Sequence, residues 1–330
     1  MRRYVLRRLL QFVPTFIGVT LITFILVQMA PGDPASLQTE SLSGHAIQQE
    51  SLDAWKKLKG LDQPLLWQYL RWLGSFVTFD FGASLVDERP VRAVILEAVP
   101  RTMLLSGLAL FWIYAISVPL GIFSAIRRGT RSDNVITTAL FLLYSLPSFW
   151  VALLLIVLLG GGEFLDLFPI RGLHSSGIQS AGFFSRSLDL AWHLVLPVLC
   201  LTYPALARTS RYQRAATLDV FRQDYIRTAR AKGLRERAVI LRHALKNSML
   251  PIATLLSVDL PWLIGGSVIV ERIFTIRGMG MVTFEAILRR DYPVIMGVTA
   301  LVALVTMTAV LLGDLALAWL DPRIRLQEKT

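Results

Sequence analysis

The chain has few residues of the types that do acid–base, nucleophilic or metal chemistry, and their spacing does not assemble them. The four histidines, His45, His174, His193 and His243, are scattered, and none has a partner at metal-ligand spacing. Each reads as a lone structural or surface histidine. The single cysteine, Cys200, lies inside an apolar run, which excludes an intramolecular disulfide and a multi-cysteine metal site. Neither HExxH nor GxSxG occurs, and there is no GxxxxGK[ST] loop to cradle the phosphates of ATP. What remains is a pair of acids inside long apolar stretches, Asp259 and Asp314. A charge at a helix centre in a membrane costs about 2.5 to 3.5 kcal/mol on insertion scales, so each must face protein or water. Asp259, between Val258 and Leu260, is a candidate for a solute pathway, together with Pro261, Gly265 and Gly266 just after it. The other role open to it is that of a local hydrogen-bond partner. Asp314 reads as the anchor of a helix end.

The elements that must hold these acids follow from composition. The chain has 330 residues, of which 54% are hydrophobic and only 17% charged, and a mean hydropathy of +0.55. That is too apolar for an ordinary soluble domain, and many runs approach bilayer length. The net charge of +11 does not point to nucleic acid, because the bases cluster beside apolar runs instead of interleaving with exposed aromatics. The expected fold is an all-α integral membrane protein with six transmembrane helices, at about 9–30, 102–126, 135–160, 192–207, 248–270 and 293–320. The first follows Arg2, Arg3, Arg7 and Arg8, as a signal peptide would. Its apolar run is longer than a signal core and leads into Pro31, Gly32, Asp33 and Pro34, so a retained span is expected.

Charge sets the orientation. The connection 127–133 carries three arginines, and 208–246 holds eleven bases against three acids. By the positive-inside rule both face the cytoplasm, and so do both termini. Segment 31–98, with six bases and nine acids, then lies outside, as do 161–191 and 271–292. The expected organisation is a first transmembrane helix at 1–30 and a long external interfacial segment at 31–98. A five-helix core at 99–325 follows, containing a cytoplasmic loop at 208–247, and then a tail at 326–330. Within the external segment Leu66, Tyr69, Leu73, Phe76 and Val77 recur at helical spacing beside Trp67, Trp72, Phe79 and Phe81. They suit a helix resting on headgroups or a docking surface. Pro119, Pro147, Pro197, Pro204, Pro251 and Pro261 fall in or beside the spans, where each disturbs or ends a helical ladder. Several kinks in one bundle favour helices that move or enclose a cavity.

The basic stretch from Asp219 to Pro251 is where a partner outside the membrane can grip the chain. Acids Asp219 and Asp224 open a short helical pattern that closes on Arg230 and Lys232, the order that suits a helix dipole. Gly233 follows where a helix C-terminus places glycine. A second pattern sets Leu234, Ala238, Leu241 and Leu245 on one face, with Arg235, Glu236, Arg237 and Arg242 around it. A basic amphipathic helix lying on anionic lipid fits these charges as well as a docking element does.

The run Tyr225 to Gly233, followed by His243, Ala244, Leu245, Lys246 and Asn247, resembles the cytoplasmic coupling loop, or EAA motif, of permease subunits in binding-protein-dependent ABC importers. More narrowly, it is similar to the version found in the dipeptide, oligopeptide and nickel branch. The general motif has Glu-Ala-Ala six residues before the glycine and a proline after it. Here Arg227, Thr228 and Ala229 take the first positions and Lys246 stands near the proline position, a departure that fits the peptide branch. PGDP at 31–34, GLDQPLLWQYLRWL at 60–73, FGASL at 81–85, ERIFTIRGMG at 271–280, RRDYP at 289–293 and DLALAWLDPRIR at 314–325 extend the resemblance over nearly the whole chain. The usual Pro-Gly of the branch becomes Arg277 and Gly278 here.

The resemblance implies a translocation subunit, not an enzyme, in a prokaryotic cytoplasmic (inner) membrane. It implies a homologous second permease, two cytoplasmic ATPases and an external solute-binding protein as partners, with membrane lipid around them and no nucleic acid. It implies no cofactor in this chain, with ATP and Mg held by the partner ATPases. Coupling is expected at Asp224, Tyr225, Ile226, Arg227, Thr228, Ala229, Arg230, Ala231, Lys232, Gly233 and Leu234. The solute is a peptide or a similarly sized molecule, and dipeptides, longer peptides, nickel chelates and oligosaccharides all remain open. A secondary transporter or channel working without an ATPase is the alternative.

Overall fold

The computed structural model describes residues 2–29, 57, 62–160 and 164–320. PGDP at 31–34, the first two residues of the 60–73 word, His45 and the closing DPRIR with the expected tail lie outside the described residues. Every regular element among the described residues is helical, and one isolated bridge pairs Ala83 with Pro90. Among the described residues five stretches have the length and apolar character to cross a membrane: Leu6–Met29, Val91–Ile126, Phe183–Phe221, Leu250–Ile273 and Tyr292–Leu315. Two helices joined at a sharp bend make a sixth if the pair is taken as one span. That number meets the six spans expected, with two differences that have physical causes.

The span expected at 135–160 is broken. Helix α4 (Arg131–Ser145) and helix α5 (Ser148–Leu159) meet at 93°, following α1 (Arg2–Met29), α2 (Leu65–Val77) and α3 (Val91–Ile126). Pro147 forces Leu146 into extended backbone, φ −82 and ψ 126, and then serves as the N-cap of α5. The Leu146 carbonyl at the corner accepts a hydrogen bond from the Tyr203 hydroxyl at 2.8 Å. The second difference is length. Helix α6 (Phe183–Phe221) runs well past 192–207 at both ends, and α3 begins at Val91, inside the segment 31–98. At 1.5 Å per residue a helix of 36 to 39 residues is more than about 54 Å long, far beyond the roughly 30 Å hydrocarbon core. Both helices are therefore long enough to continue past a hydrocarbon core, and the charged residues within them do not end the helix.

By its contacts the chain divides into Met1–Arg101 with Arg277–Met307, and Thr102–Ile276 with Thr308–Thr330. In the first unit α2 turns Tyr69 inward against Phe24 and Met296, and the Tyr69 hydroxyl meets Thr20 Oγ1 at 3.0 Å. Leu66 and Val77, expected on the same apolar stripe, are exposed along with Trp67 and Leu70. Asp291 is buried there and accepts hydrogen bonds from the Ser84 hydroxyl and, at 3.0 Å, from the Leu85 amide. In the second unit Leu105 and Ala109 of α3, Ala152 of α5 and Leu194 to Leu201 of α6 form one core with Val270, Phe274 and Ile276. Cys200 is fully enclosed in it.

Candidate functional site

The basic stretch folds into a short helix held outside the long ones. After α6, Gln223 takes extended backbone and opens helix α7 (Asp224–Ala231). Asp224 lies in its first turn and Arg230 in its last, so both charges complement the helix dipole. The C-terminus closes with two hydrogen bonds, from the Gly233 amide to the Arg230 carbonyl at 2.9 Å and from the Leu234 amide to the Ala229 carbonyl at 3.4 Å. This is the Schellman pattern, which needs a left-handed residue at the first position past the cap. Gly233 supplies it with φ +75.

The helix carries its own small core. Ile226 and Ala229 are buried with Val239 and Ala244, and Val220 and Phe221 pack against them. The Arg230 guanidinium lies over the Phe221 ring at 5.4 Å and reaches both Glu236 oxygens, at 2.6 and 3.2 Å. Those bonds hold the Glu236 carboxyl below the usual carboxylate range. Of the residues expected to couple, Ile226 and Ala229 point inward. Asp224, Tyr225, Arg227, Thr228, Ala231, Lys232 and Leu234 stay exposed. Asp224 and Arg227 are open to 94% and 73% and approach only to 3.5 Å, a pairing that contributes little to stability. They remain available to a partner. The Tyr225 hydroxyl accepts from Asn247 Nδ2 at 2.7 Å, tying the helix to the return segment.

The return segment departs from the expected face of Leu234, Ala238, Leu241 and Leu245. Arg235 is extended, so Leu234 precedes helix α8 (Glu236–Ala238), and a π-helical turn, Val239–Ala244, leads into α9 (Leu245–Ser248). A π turn adds a residue and rotates the face that follows. Val239 and Ala244, five apart, are buried, while Leu241 is 64% exposed. That five-residue spacing is the one trace of the turn in the sequence.

The second candidate site surrounds Asp259, the last residue of α10 (Leu250–Asp259). Its carboxylate receives Arg208 Nη2 at 2.9 Å on each oxygen and the Tyr114 hydroxyl at 2.8 Å on Oδ2. Sequence reasoning found the acid but not its partners, because they come from helices far away along the chain. Pro261 precedes α11 (Trp262–Gly265), and Gly266, with φ 71 and ψ −175, occupies backbone essentially restricted to glycine before α12 (Val268–Ile273). No heavy atom lies within 4 Å of a Cβ built on Gly265. Asp314 lies in the last long helix, after α13 (Met279–Leu288), in α14 (Tyr292–Leu320).

Three further constellations were not legible. Asp133, buried at the start of α4, takes Arg214 Nε at 3.0 Å and Nη2 at 2.7 Å, a bidentate pair tying α4 to α6. Asp189 gathers residues read as isolated: His174 Nδ1 lies 3.3 Å from its carboxylate, Ser175 bonds it at 2.6 Å, and His193 Nδ1 sits 2.8 Å from its carbonyl. Glu271, fully buried, accepts from the Thr102 hydroxyl at 3.0 Å. Among the described residues no three His, Cys, Asp or Glu side chains converge as a metal site.

The class these features define is a polytopic helical membrane protein that presents a short charged helix outside its spans. Comparison with known proteins makes it specific. Residues 117–326 match the family described as binding-protein-dependent transport system inner membrane component, and residues 1–106 match the N-terminal part of such components. The chain belongs to this family. It is 37% identical to the oligopeptide transport system permease protein AppB of Bacillus subtilis, over 98% of this chain and 99% of that one. It is 34% identical to the dipeptide transport system permease protein DppB of Escherichia coli K12, over 98% and 99%. A solved structure of the MetNI methionine ABC transporter, inward-facing, shares the fold with a TM-score of 0.52 at 16% identity, covering 70% of this chain and 97% of that one. The chain is thus a multi-pass permease subunit of the cytoplasmic membrane, a translocation component and not an enzyme.

Proposed function

We propose that this chain moves peptides, or solutes of similar size, from an external binding protein into the cytoplasm. It would do so with a homologous second permease and two cytoplasmic ATPases that hold the ATP and Mg. The observation that carries the reading is the end-to-end similarity to oligopeptide and dipeptide permeases. Both termini and the loop 208–247 are assigned to the cytoplasm on their charge, and segment 31–98 to the outside. ATPase closure would press on Asp224 to Leu234. This helix is fixed to its own core and tied through Arg230–Glu236 and Tyr225–Asn247, so a push on its open face passes to the ends of α6 and α10 without first being lost in bending. ATP must bind one arrangement better than the other, since only differential affinity shifts a conformational equilibrium. Asp259, Pro261, Gly265 and Gly266 are assigned to the pathway, where a broken helix gives the bundle a place to move.

Affinity purification from the native membrane tests the assembly. Two P-loop ATPase copies and a second permease co-purifying, with ATP-dependent peptide uptake in proteoliposomes, are expected. A chain recovered alone that transports without ATPase would establish a secondary transporter or channel instead.

A further inference from the structure

Arg208, the partner of Asp259, also lines a cavity that its ion pair does not explain. Along α6, Ala207, Arg208, Arg211, Tyr212 and Ala215 share one face, opposite the buried Thr209, Ser210, Gln213 and Thr217. With Phe141 and Tyr144 of α4 they line a cavity of about 460 Å³, within the size of small-molecule sites. Its walls are aromatic and its charge is unbalanced. Two guanidinium groups face it, and Asp259, only 15% exposed, answers one of them. Arg211 stacks on the Phe141 ring at 4.7 Å, and among the described residues no carboxylate stands within ion-pair distance of it. Arg208, 45% exposed, spends a single nitrogen, Nη2, on both Asp259 oxygens. The parallel two-nitrogen grip by which arginine reads a carboxylate is left unused.

We propose that Arg208 and Arg211 read the carboxylate of the transported solute, and that Asp259 stands in for that carboxylate while the site is empty. This rests on the peptide-import reading above. When a peptide's terminal carboxylate takes Arg208, Asp259 keeps the Tyr114 hydroxyl and becomes free to accept an ammonium or amide N–H from the same solute. A zwitterion leaves the net charge of the site as it was, and its ammonium and carboxylate each meet an opposite charge. The exchange also joins α3, α6 and α10, the helices that carry Tyr114, Arg208 and Asp259, to the presence of solute.

The test uses the complete importer in proteoliposomes with its binding protein and ATP. Uptake of a dipeptide with a free C-terminal carboxylate is compared with uptake of its C-terminal amide, in wild type and in Arg211→Gln. Taking the ratio between proteins cancels the binding protein's own preference. The preference for the carboxylate is expected to fall about tenfold in the variant, or about 1.4 kcal/mol. Arg211→Lys, which keeps the charge and loses the planar fork, is expected to give a smaller fall, and it serves if the glutamine variant does not assemble. Asp259→Asn removes the acceptor for the solute's ammonium, so the preference for a free over an N-acetylated amino terminus is expected to fall severalfold in that variant. An assembled Arg211→Gln or Arg211→Lys importer with unchanged preference overturns the proposal. So does an unchanged preference accompanied by loss of a co-purifying phospholipid, which gives the pocket to a lipid phosphate. Wild type that takes up neither solute overturns the peptide reading and this site with it. Uptake of both solutes without dependence on Arg211 overturns the site alone.

Discussion

Replacing Gly233 perturbs the end of helix α7 through the backbone alone. A Cβ built at this position meets nothing within 4 Å, yet φ is +75. Side-chain volume is therefore irrelevant, and left-handed backbone decides the cost. For alanine that cost is roughly 1 to 2 kcal/mol. Asparagine, larger than alanine, reaches this conformation more easily because its short polar side chain bonds locally. Valine, β-branched, is the worst of the three. The expected order of integrity is Gly, Asn, Ala, Val, whereas a steric constraint would put Ala ahead of Asn. Each 1 kcal/mol raises the population of an opened helix end about fivefold, and opening releases the Leu234 amide from the Ala229 carbonyl. Hydrogen exchange at Leu234, followed by mass spectrometry, reads that population directly, and solute-stimulated ATPase turnover of the assembled importer should fall in the same order. Exchange that tracks side-chain size, or that does not change in Gly233→Val, would refute the reasoning. Normal exchange with lost turnover would place the defect at a docking contact instead.

Arg214→Ala strands Asp133, which is 3% exposed, and is expected to cost on the order of 3 kcal/mol. Asp133→Ala leaves an arginine that is 31% exposed and can turn to water, at about 1 to 2 kcal/mol; thermal unfolding in detergent should show that asymmetry. A Cβ on Gly121 would lie 2.6 Å from the Ser210 carbonyl oxygen and the Gln213 Cβ, so Gly121→Ala should lose about 1 to 3 kcal/mol through overpacking. Gly74→Ala, whose Cβ meets nothing within 4 Å, should lose none in the same melting assay. Burial pushes the Asp291 carboxyl up, against the pull of the Ser84 hydroxyl and the Leu85 and Val294 amides. A group whose pKa is raised on folding binds more protons when folded. Its stabilisation is therefore full below the ordinary carboxylate value and declines as pH rises through the folded one. Asp291→Asn should flatten that part of the curve of melting temperature against pH, and an unchanged slope would assign it to another group.

Local composition and pattern were enough to read part of this molecule. Apolar runs of bilayer length gave the spans, since a chain in hydrocarbon must satisfy its backbone internally. The glycine after Arg230 and Lys232 gave the end of α7, because left-handed backbone selects glycine wherever the rest of the chain lies. Asp259 was visible because a charge among apolar residues is costly in any fold. Features that depend on distant neighbours emerged only in the folded chain. Pro147 announced a disturbance, but the 93° corner is held in part by the Tyr203 hydroxyl on Leu146. The buried face of the return segment changed because a π turn and the core around Ile226 selected Val239 and Ala244 over Leu241. Asp259 acquired Arg208 and Tyr114, and Asp133 acquired Arg214, through packing between helices separated by 51, 145 and 81 residues. No local period encodes such pairs. Charges are placed one at a time along a sequence, and only the fold brings them within a hydrogen bond of each other.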